Sequence, residues 1–287
     1  MLLINAELLE AIDKELDSAI KRNKRLQRLY QKVRDGTTDF RNAQQFAIEL
    51  GKELSNAFKM NIAVEELPNG KMTFSIANEV VRPELVKGYD YTASYFNEIQ
   101  QNMYKAKNLN IKGANPDLIE SRIDGFVEKL TSDEYEAVKF MLDDPAYIVN
   151  YLEAVVDTGI KNNRGMLAQA GIKSRLIREV DGGACPWCLN LAGNYEYGEE
   201  PDDVYRRHRD CHCKITYEFK DGFRQDSWSK NWFTDNPDWQ LEKKNRIEWS
   251  DISNAYEKRD ITNMRYVAKG KLTQSEAERL QELLLNQ

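Results

Sequence analysis

Every cysteine and every histidine of the 287-residue chain lies in one short stretch, Asp181–Phe219. The four cysteines form a Cys-x2-Cys pair, Cys185 and Cys188, and a Cys-x-Cys pair, Cys211 and Cys213, and both histidines lie beside the second pair. Cysteines that serve only as small hydrophobic residues would be spread through the core. The clustering indicates a shared metal ion, and sulfur and imidazole ligands in a four-coordinate shell favour zinc.

Five candidate ligands compete for four positions in such a shell. Nineteen residues (189–207) separate Cys188 from His208, which is a common separation between the two halves of a zinc site. In a strand, Cys211 and Cys213 would point to one face and His212 to the other, so His212 is the least favoured ligand. We predict a structural zinc ion bound by Cys185, Cys188, His208 and Cys211, with Cys213 as the alternative fourth ligand.

Two other interpretations of the cysteines stay open at this point. The thiols could simply pack a small subdomain, or Cys185-Pro-Trp-Cys188 could be a thiol–disulfide exchange turn. Thioredoxin-like chemistry needs a βαβ context, and the residues before Cys185 indicate a helix and a loop. The amino terminus has no basic region before its short apolar patch, so we expect no secretory signal and a reducing compartment, which favours metal over disulfide.

The same stretch resembles the phage head morphogenesis domain of the Mu protein F type, a family that includes minor capsid proteins of tailed phages. The resemblance covers about 151–219 and departs from the family at Arg209, where Pro is usual, and at His212, where Arg is usual. The turn Leu67–Met72 further resembles minor capsid proteins of phages of Gram-positive bacteria. The matching residues are Cys185, Cys188, Leu191, Gly193, His208, Cys211, Cys213 and the strand Lys214–Tyr217.

The resemblance implies a structural component of the virion, made in the bacterial host cytoplasm and located in the capsid interior or at the portal vertex. It implies contact with the portal protein, with major capsid or scaffold proteins and with packaged DNA. We expect no membrane contact, because no run of about 18 apolar residues occurs, and no small-molecule substrate.

Hydrophobic periodicity predicts an α+β, mainly α fold. The predicted helices span Ala6–Arg34, Phe40–Lys59, Pro83–Lys107, Pro116–Leu130, Ser132–Leu142 and Pro145–Ala170. Looser alternation on either side of Pro68-Asn69-Gly70 predicts a β-hairpin over 61–76. A strand at Ser174–Val180 is predicted to pair with Ile215–Phe219.

Three units follow from this pattern. They are a helical domain with the hairpin (1–145), the module with the Cys/His metal site (146–220) and an aromatic-rich extension (221–287). The extension contains Trp228, Trp232, Trp239 and Trp249, and helices are predicted at Ser250–Lys258 and Thr273–Leu285. Its aromatic residues favour equally a tail that wraps the domain and a docking surface for another subunit.

The sequence offers no convincing catalytic constellation, and we do not expect an enzyme. It contains no Gly-rich phosphate loop, and its two histidines both lie beside predicted ligands. Two alternatives are kept: a metal-dependent, ADP-ribosyltransferase-like enzyme or effector delivered with the genome, and a zinc-dependent nucleic-acid-binding module that uses Arg206, Arg207, Arg209 and Lys214. A net charge of −6 argues against broad nucleic-acid binding.

Two charged clusters could also serve binding. Lys21, Arg22, Lys24, Arg25 and Arg28 form a basic group that is either a solvated helix face or a contact for DNA or an acidic partner. The loop between the two ligand pairs is acidic and is a weak candidate for a hard cation, because it lacks a calcium-loop pattern. Its acidic residues are Glu196, Glu199, Glu200, Asp202 and Asp203.

Overall fold

The computed structural model describes residues 2–180, 184–211 and 213–219. Of this part of the chain, 66% is helical and 8% lies in strands, which confirms the predicted mainly helical α+β class. In chain order the elements are α1 (Leu2–Arg22), α2 (Lys24–Arg34), α3 (Phe40–Asn61), α4 (Phe74–Ile76), α5 (Arg82–Ala106), α6 (Glu120–Leu130), α7 (Tyr135–Val138), α8 (Phe140–Asp143), α9 (Pro145–Gln169), β1 (Ser174–Glu179), α10 (Pro186–Asn190), β2 (Gly193–Glu196) and β3 (Lys214–Phe219).

The first helical region is divided at Asn23, so the prediction of one helix over Ala6–Arg34 is wrong in this detail. Asn23 has an extended backbone, and its side chain accepts hydrogen bonds from the amides of Arg25 and Leu26 at 2.9 and 3.1 Å. These bonds satisfy amide groups that have no partner inside α2. The cap therefore begins a new helix although the apolar periodicity continues across the break.

Three long helices, α3, α5 and α9, form the centre of the helical body. Among the described elements, α3 and α9 make the most extensive contact. The two helices approach closely at Gly51, where an added Cβ would lie 2.9 Å from Val149 Cα. Asp144 caps α9 by accepting a hydrogen bond from the amide of Ala146 at 3.0 Å, and Pro145 occupies the first turn.

A three-stranded antiparallel sheet with the order β2-β1-β3 packs on this body. Leu176 lies opposite Tyr217, as expected for the predicted pairing of the strand at 174–180 with Ile215–Phe219. Both side chains are buried, and β3 contacts α3 and α9. One continuous hydrophobic core extends from Ile12 to Phe219, so buried residues on both sides of the predicted boundary at 145/146 share it.

The hairpin predicted over 61–76 is not formed. The segment instead contains two 3-10 turns, Val64–Glu66 and Pro68–Gly70, followed by the short helix α4. Asn69 has a left-handed backbone (φ 54°), which suits a tight turn. The apolar side chains of this segment enter the helical core one by one and do not form the single buried face of a β-ribbon. These side chains are Leu67, Met72 and Ile76.

Other differences concern helix ends. A π-helical segment, Ala77–Val81, precedes α5, and the helix predicted from Pro116 begins at Glu120. Pro116 is held by its carbonyl, which accepts a hydrogen bond from Tyr89 Oη at 2.8 Å. The helix predicted over Ser132–Leu142 is divided into α7 and α8. The predicted aromatic extension over 221–287 and its two helices lie outside the described residues. None of the described helices combines the length and hydrophobicity that crossing a membrane requires.

Candidate metal centre

The strand register brings the ligand-bearing loops to one end of the sheet. Glu179, the last residue of β1, lies opposite Lys214, the first residue of β3, and Arg178 lies opposite Gly193, the first residue of β2. The first cysteine pair lies in the connection from β1 to β2, and the second pair immediately precedes β3. Pairing of the three strands therefore brings two sequence segments with metal-ligating side chains together.

The first pair is arranged by a short helix. Cys185 is the N-cap of α10, and its Sγ accepts a hydrogen bond from the amide of Cys188 at 3.5 Å. This backbone hydrogen bond is the main cause that lowers the pKa of the Cys185 thiol. A lowered pKa favours the thiolate, which is the form that binds a metal. Pro186 in the first turn fixes the backbone of α10.

His208 joins the first pair through one ring nitrogen. Its Nε2 lies 3.3 Å from Cys185 Sγ and 3.0 Å from Cys188 Sγ. The opposite nitrogen, Nδ1, contacts the backbone carbonyl of Arg209. A proton on Nδ1 donated to that carbonyl leaves the lone pair of Nε2 directed at the sulfurs, which is the usual arrangement of a metal-binding histidine. The carbonyl of His208 accepts a hydrogen bond from Asn150 Nδ2 of α9 at 2.7 Å.

The second cysteine pair meets the first at Cys188. The Sγ atoms of Cys188 and Cys211 are 3.8 Å apart. Two sulfurs bound to one tetrahedral zinc at about 2.3 Å would be separated by about 3.8 Å. The ligand atoms form two overlapping groups, each with all atoms within 4.8 Å of one another; the groups are Cys185, Cys188 and His208, and Cys188, Cys211 and Cys213.

All five predicted ligands therefore belong to two overlapping groups, and Cys188 is the member that the groups share. The geometry shows that the cluster could hold a metal ion. Cys211 and Cys213 both lie in the second group, so the choice between them stays open. His212, the least favoured candidate, lies outside the described residues.

The sulfurs of the second group are enclosed by protein. Cys188, Cys211 and Cys213 are each at most 4% exposed and form a small cluster of their own. Burial raises the pKa of the Cys188 and Cys211 thiols, because a thiolate loses hydration there. A divalent cation among the sulfurs would oppose this rise, since it stabilises the negative form.

Arg178 and Trp187 form a wall beside the sulfur cluster. The guanidinium of Arg178 lies over the Trp187 ring at 5.4 Å, and its Nη1 donates hydrogen bonds to the carbonyls of Val204 and Arg206. The Trp187 ring also meets the His208 ring edge-on, with centroids 5.7 Å apart. These contacts orient the loop that carries His208 and cover the cluster from one side.

A buried ion-pair group fastens the same loop to α9. Arg207 donates from Nε and Nη2 to Asp157 at 2.5 and 3.0 Å, and from Nη1 to Glu153 at 3.1 Å and to the carbonyl of Cys213 at 2.8 Å. Burial lowers the pKa of Arg207, but the two carboxylates outweigh it and hold the pKa above its usual value. Burial also raises the pKa of Glu153 to about 7, although Arg207 opposes that rise.

The nucleic-acid interpretation of this loop is wrong for Arg207, because its side chain is fully buried. Arg206 is paired with Asp203 on the surface, and Arg209 contacts Asp210 and Tyr147. The sequence alone does not predict the structural role of Arg207. Two acids four residues apart, Glu153 and Asp157, that flank the apolar residues Ala154–Val156 are the available signal for a buried cation.

The acidic loop does not provide a second metal group among the described residues. Glu200 binds Arg164 Nη1 at 2.5 Å and the amide of Gly198 at 2.7 Å. Arg164 is fully buried in α9, and its Nη1 also donates to Tyr205 Oη at 2.7 Å. The loop therefore contributes a second attachment of the module to α9.

Comparison with protein-family models, with curated proteins and with solved structures found no match for this chain.

Proposed function

We propose that the Cys/His centre binds one structural zinc ion through Cys185, Cys188, His208 and one of Cys211 and Cys213. The observation that carries this proposal is that four sulfurs and one imidazole form two overlapping groups, joined at Cys188, whose Sγ lies 3.8 Å from Cys211 Sγ. Soft sulfur donors with one imidazole favour zinc over hard cations. The ion would link the segment between β1 and β2 to the start of β3. It would thereby stabilise a region with little core of its own.

A structural role is favoured over a catalytic one by the number of protein donors. The two overlapping groups together offer five protein donors, more than a four-coordinate shell needs, whereas catalytic zinc sites keep one position for water or substrate. The buried carboxylates of the adjoining helix, Glu153 and Asp157, are hydrogen-bonded to Arg207. A metal-dependent enzyme or effector would instead need three protein ligands and an open position.

We propose further that the chain is a minor capsid or head morphogenesis protein of a tailed phage, associated with the portal and the head interior. What supports this is the resemblance to the Mu protein F type, whose matching residues Cys185, Cys188, His208, Cys211 and Cys213 lie together in the fold. The portal protein and the major capsid or scaffold proteins would be its partners. The virion would be its final location after synthesis in the host cytoplasm.

The metal is tested by elemental analysis of the purified full chain together with X-ray absorption at the zinc edge. The expected result is one zinc per chain with a shell of three sulfurs and one nitrogen. A shell that contains a bound water oxygen would favour the enzyme alternative. Absence of a stoichiometric transition metal would contradict the zinc proposal.

The virion assignment is tested separately. Tagged full-length protein is used to capture the portal protein encoded beside its gene, and purified virions are searched for the chain by mass spectrometry. Recovery with the portal protein and presence in virions are the expected results. A chain that is absent from virions and does not bind the portal protein would contradict this assignment while leaving the zinc proposal intact.

A further inference from the structure

The solvent-facing side of α2 is basic along its whole length. Between Lys21 and Arg34 the chain carries seven lysines and arginines and no acidic residue. The apolar side chains of α2 point into the core and are at most 6% exposed; they are Leu26, Leu29, Tyr30 and Val33. The helix therefore presents cations to solvent without an exposed apolar side chain among them.

Four of these cations form what we call the basic ridge: Lys21, Lys24, Arg28 and Lys32. All four are exposed, and none forms an ion pair within 4.0 Å with any described residue. The nearby acids Glu15 and Glu49 are engaged by Arg22 and Arg25 at 2.9 and 3.0 Å. The ridge thus retains its positive charge although the whole chain has a net charge of −6.

The spacing of the ridge suits a regular polyanion. Lys24, Arg28 and Lys32 are four residues apart on one helix, so they form a row with steps of about 6 Å. Double-stranded nucleic acid carries one negative charge per ~1.7 Å of its axis. A rigid row of cations can therefore contact several phosphates at once and release their counterions.

Other anionic partners fit the ridge less well. A helix that binds a membrane surface buries an apolar face in the lipid, but the apolar face of α2 is in the protein core. Single-stranded nucleic acid is bound by stacking on aromatic side chains, and Tyr30, the aromatic residue of α2, is buried. A stable protein interface is centred on several Trp, Tyr or Arg anchors in well-packed pockets, whereas the ridge offers one arginine and no exposed aromatic side chain.

We infer that the basic ridge is a binding surface for the phosphate backbone of double-stranded nucleic acid, without base sequence specificity. This inference does not depend on the zinc centre or on the virion assignment. DNA and RNA duplexes share the recognised chemistry, and the experiment separates them by using both. Contacts to phosphates alone position a protein on a duplex but do not read its sequence.

The test measures binding of the full-length protein to labelled DNA and RNA duplexes by fluorescence anisotropy. Four phosphate contacts predict a slope of about −3 to −4 for log K against log salt, which weakens binding about 100-fold between ~50 and ~200 mM salt. The variant Lys24→Gln/Arg28→Gln/Lys32→Gln should bind at least tenfold more weakly at low salt. Its slope should shrink by about 2 to 3.

A matched control removes the same charge elsewhere. Lys105, Lys107 and Lys112 are exposed at and after the end of α5, and Lys105→Gln/Lys107→Gln/Lys112→Gln should bind within twofold of the unaltered protein. Thermal unfolding followed by circular dichroism checks that all variants fold. Stronger binding to either duplex supports the inference and identifies whether DNA or RNA is the preferred ligand.

Four results would overturn the inference. They are undetectable duplex binding, equal loss in both triple variants, competition by polyglutamate as effective as that by duplex, and ridge-dependent binding to anionic vesicles without binding to duplex.

Discussion

Arg207 donates two hydrogen bonds to Asp157 in the interior of the protein, from Nε at 2.5 Å and from Nη2 at 3.0 Å. Arg207 belongs to the loop that carries His208, and Asp157 belongs to the central helix α9. The same guanidinium binds Glu153 and the carbonyl of Cys213. The ligand loop is therefore attached to the helical body by a buried charge network as well as by the sheet.

Arg207→Met should destabilise the protein severely. The change leaves Asp157 and Glu153 buried without their cation, and breaking a buried ion pair by removing one partner costs about 3–5 kcal/mol of unfolding free energy. Urea denaturation followed by circular dichroism measures the loss. Arg206→Met is the control, because Arg206 is exposed and its surface pair with Asp203 is worth about 1 kcal/mol or less. Equal effects of the two changes would contradict the network.

The unfolding free energy should depend on pH through Glu153. Its pKa is raised to about 7, above the ~4.3 of an unfolded glutamate, so this group's stabilising contribution is complete below about pH 4. That contribution is lost as the pH rises to about 7, because the unfolded chain releases a proton that the folded chain retains. The loss is on the order of 3–4 kcal/mol.

Glu153→Gln should remove this contribution to the pH dependence. Measured against the unaltered protein, the stability of the variant should therefore be more favourable at pH 8 than at pH 5. Denaturation at a series of pH values measures the difference. Glu136→Gln changes the same charge in an exposed pair with Lys139 and should keep the pH profile of the unaltered protein. A Glu153→Gln profile parallel to the unaltered one would show that Glu153 is ionised in the folded state throughout.

Substitutions of single cysteines should have unequal effects on zinc binding. Cys188 belongs to both ligand groups, so Cys188→Ser should reduce the affinity for zinc by more than about 100-fold. This loss exceeds the one expected for a residue that only hydrogen-bonds to a metal ligand. Hydrogen exchange should then increase over 184–211 and β3 while α3 stays protected. A Cys188→Ser protein that retains stoichiometric zinc would contradict the shared role of this sulfur.

Cys211→Ser and Cys213→Ser form a matched pair that assigns the fourth ligand. Both side chains are buried in the same cluster, so the cost of placing a hydroxyl there is similar in the two variants. Only the variant that removes a true ligand should lose zinc in a competition with a chelator. Loss of zinc in neither variant would mean that either sulfur can complete the shell.

Two glycine-to-alanine substitutions should change the free energy of unfolding in opposite directions. Gly51→Ala places a Cβ 2.9 Å from Val149 Cα, so α3 and α9 must move apart, at a cost of about 1–3 kcal/mol. Gly125→Ala meets no atom within 4 Å on the exposed side of α6, and it should stabilise the protein by about 0.5–1 kcal/mol. Thermal unfolding of both variants measures the contrast, and a neutral Gly51→Ala would contradict the close helix contact.

The fold class and the ligand cluster could be predicted because both depend on local pattern. Apolar periodicity marks the long helices, and the unique grouping of Cys185, Cys188 and His208 with the last two cysteines marks the centre. The pairing of β1 with β3 followed from two β-rich segments that flank the ligands. These signals are contained in short windows of sequence.

The features that were missed depend on long-range contacts or on single side chains. The cap formed by Asn23 interrupts a helix without interrupting its apolar stripe. The turn at Pro68–Gly70 has hairpin chemistry, but Leu67 and Met72 are more stable in the helical core than on a two-stranded ribbon. The partner of Glu153 and Asp157 is about fifty residues away, and no local pattern identifies it.

The position of Arg207 along the chain sets an order for biosynthesis. Helix α9 leaves the ribosome with Glu153 and Asp157 before the arginine that neutralises them has been made. Until that arginine docks, two charged groups keep this part of α9 hydrated and hinder its final packing beneath the sheet. A nascent chain halted before this residue is therefore an incomplete body rather than a finished amino-terminal domain, and cellular proteases should degrade it selectively.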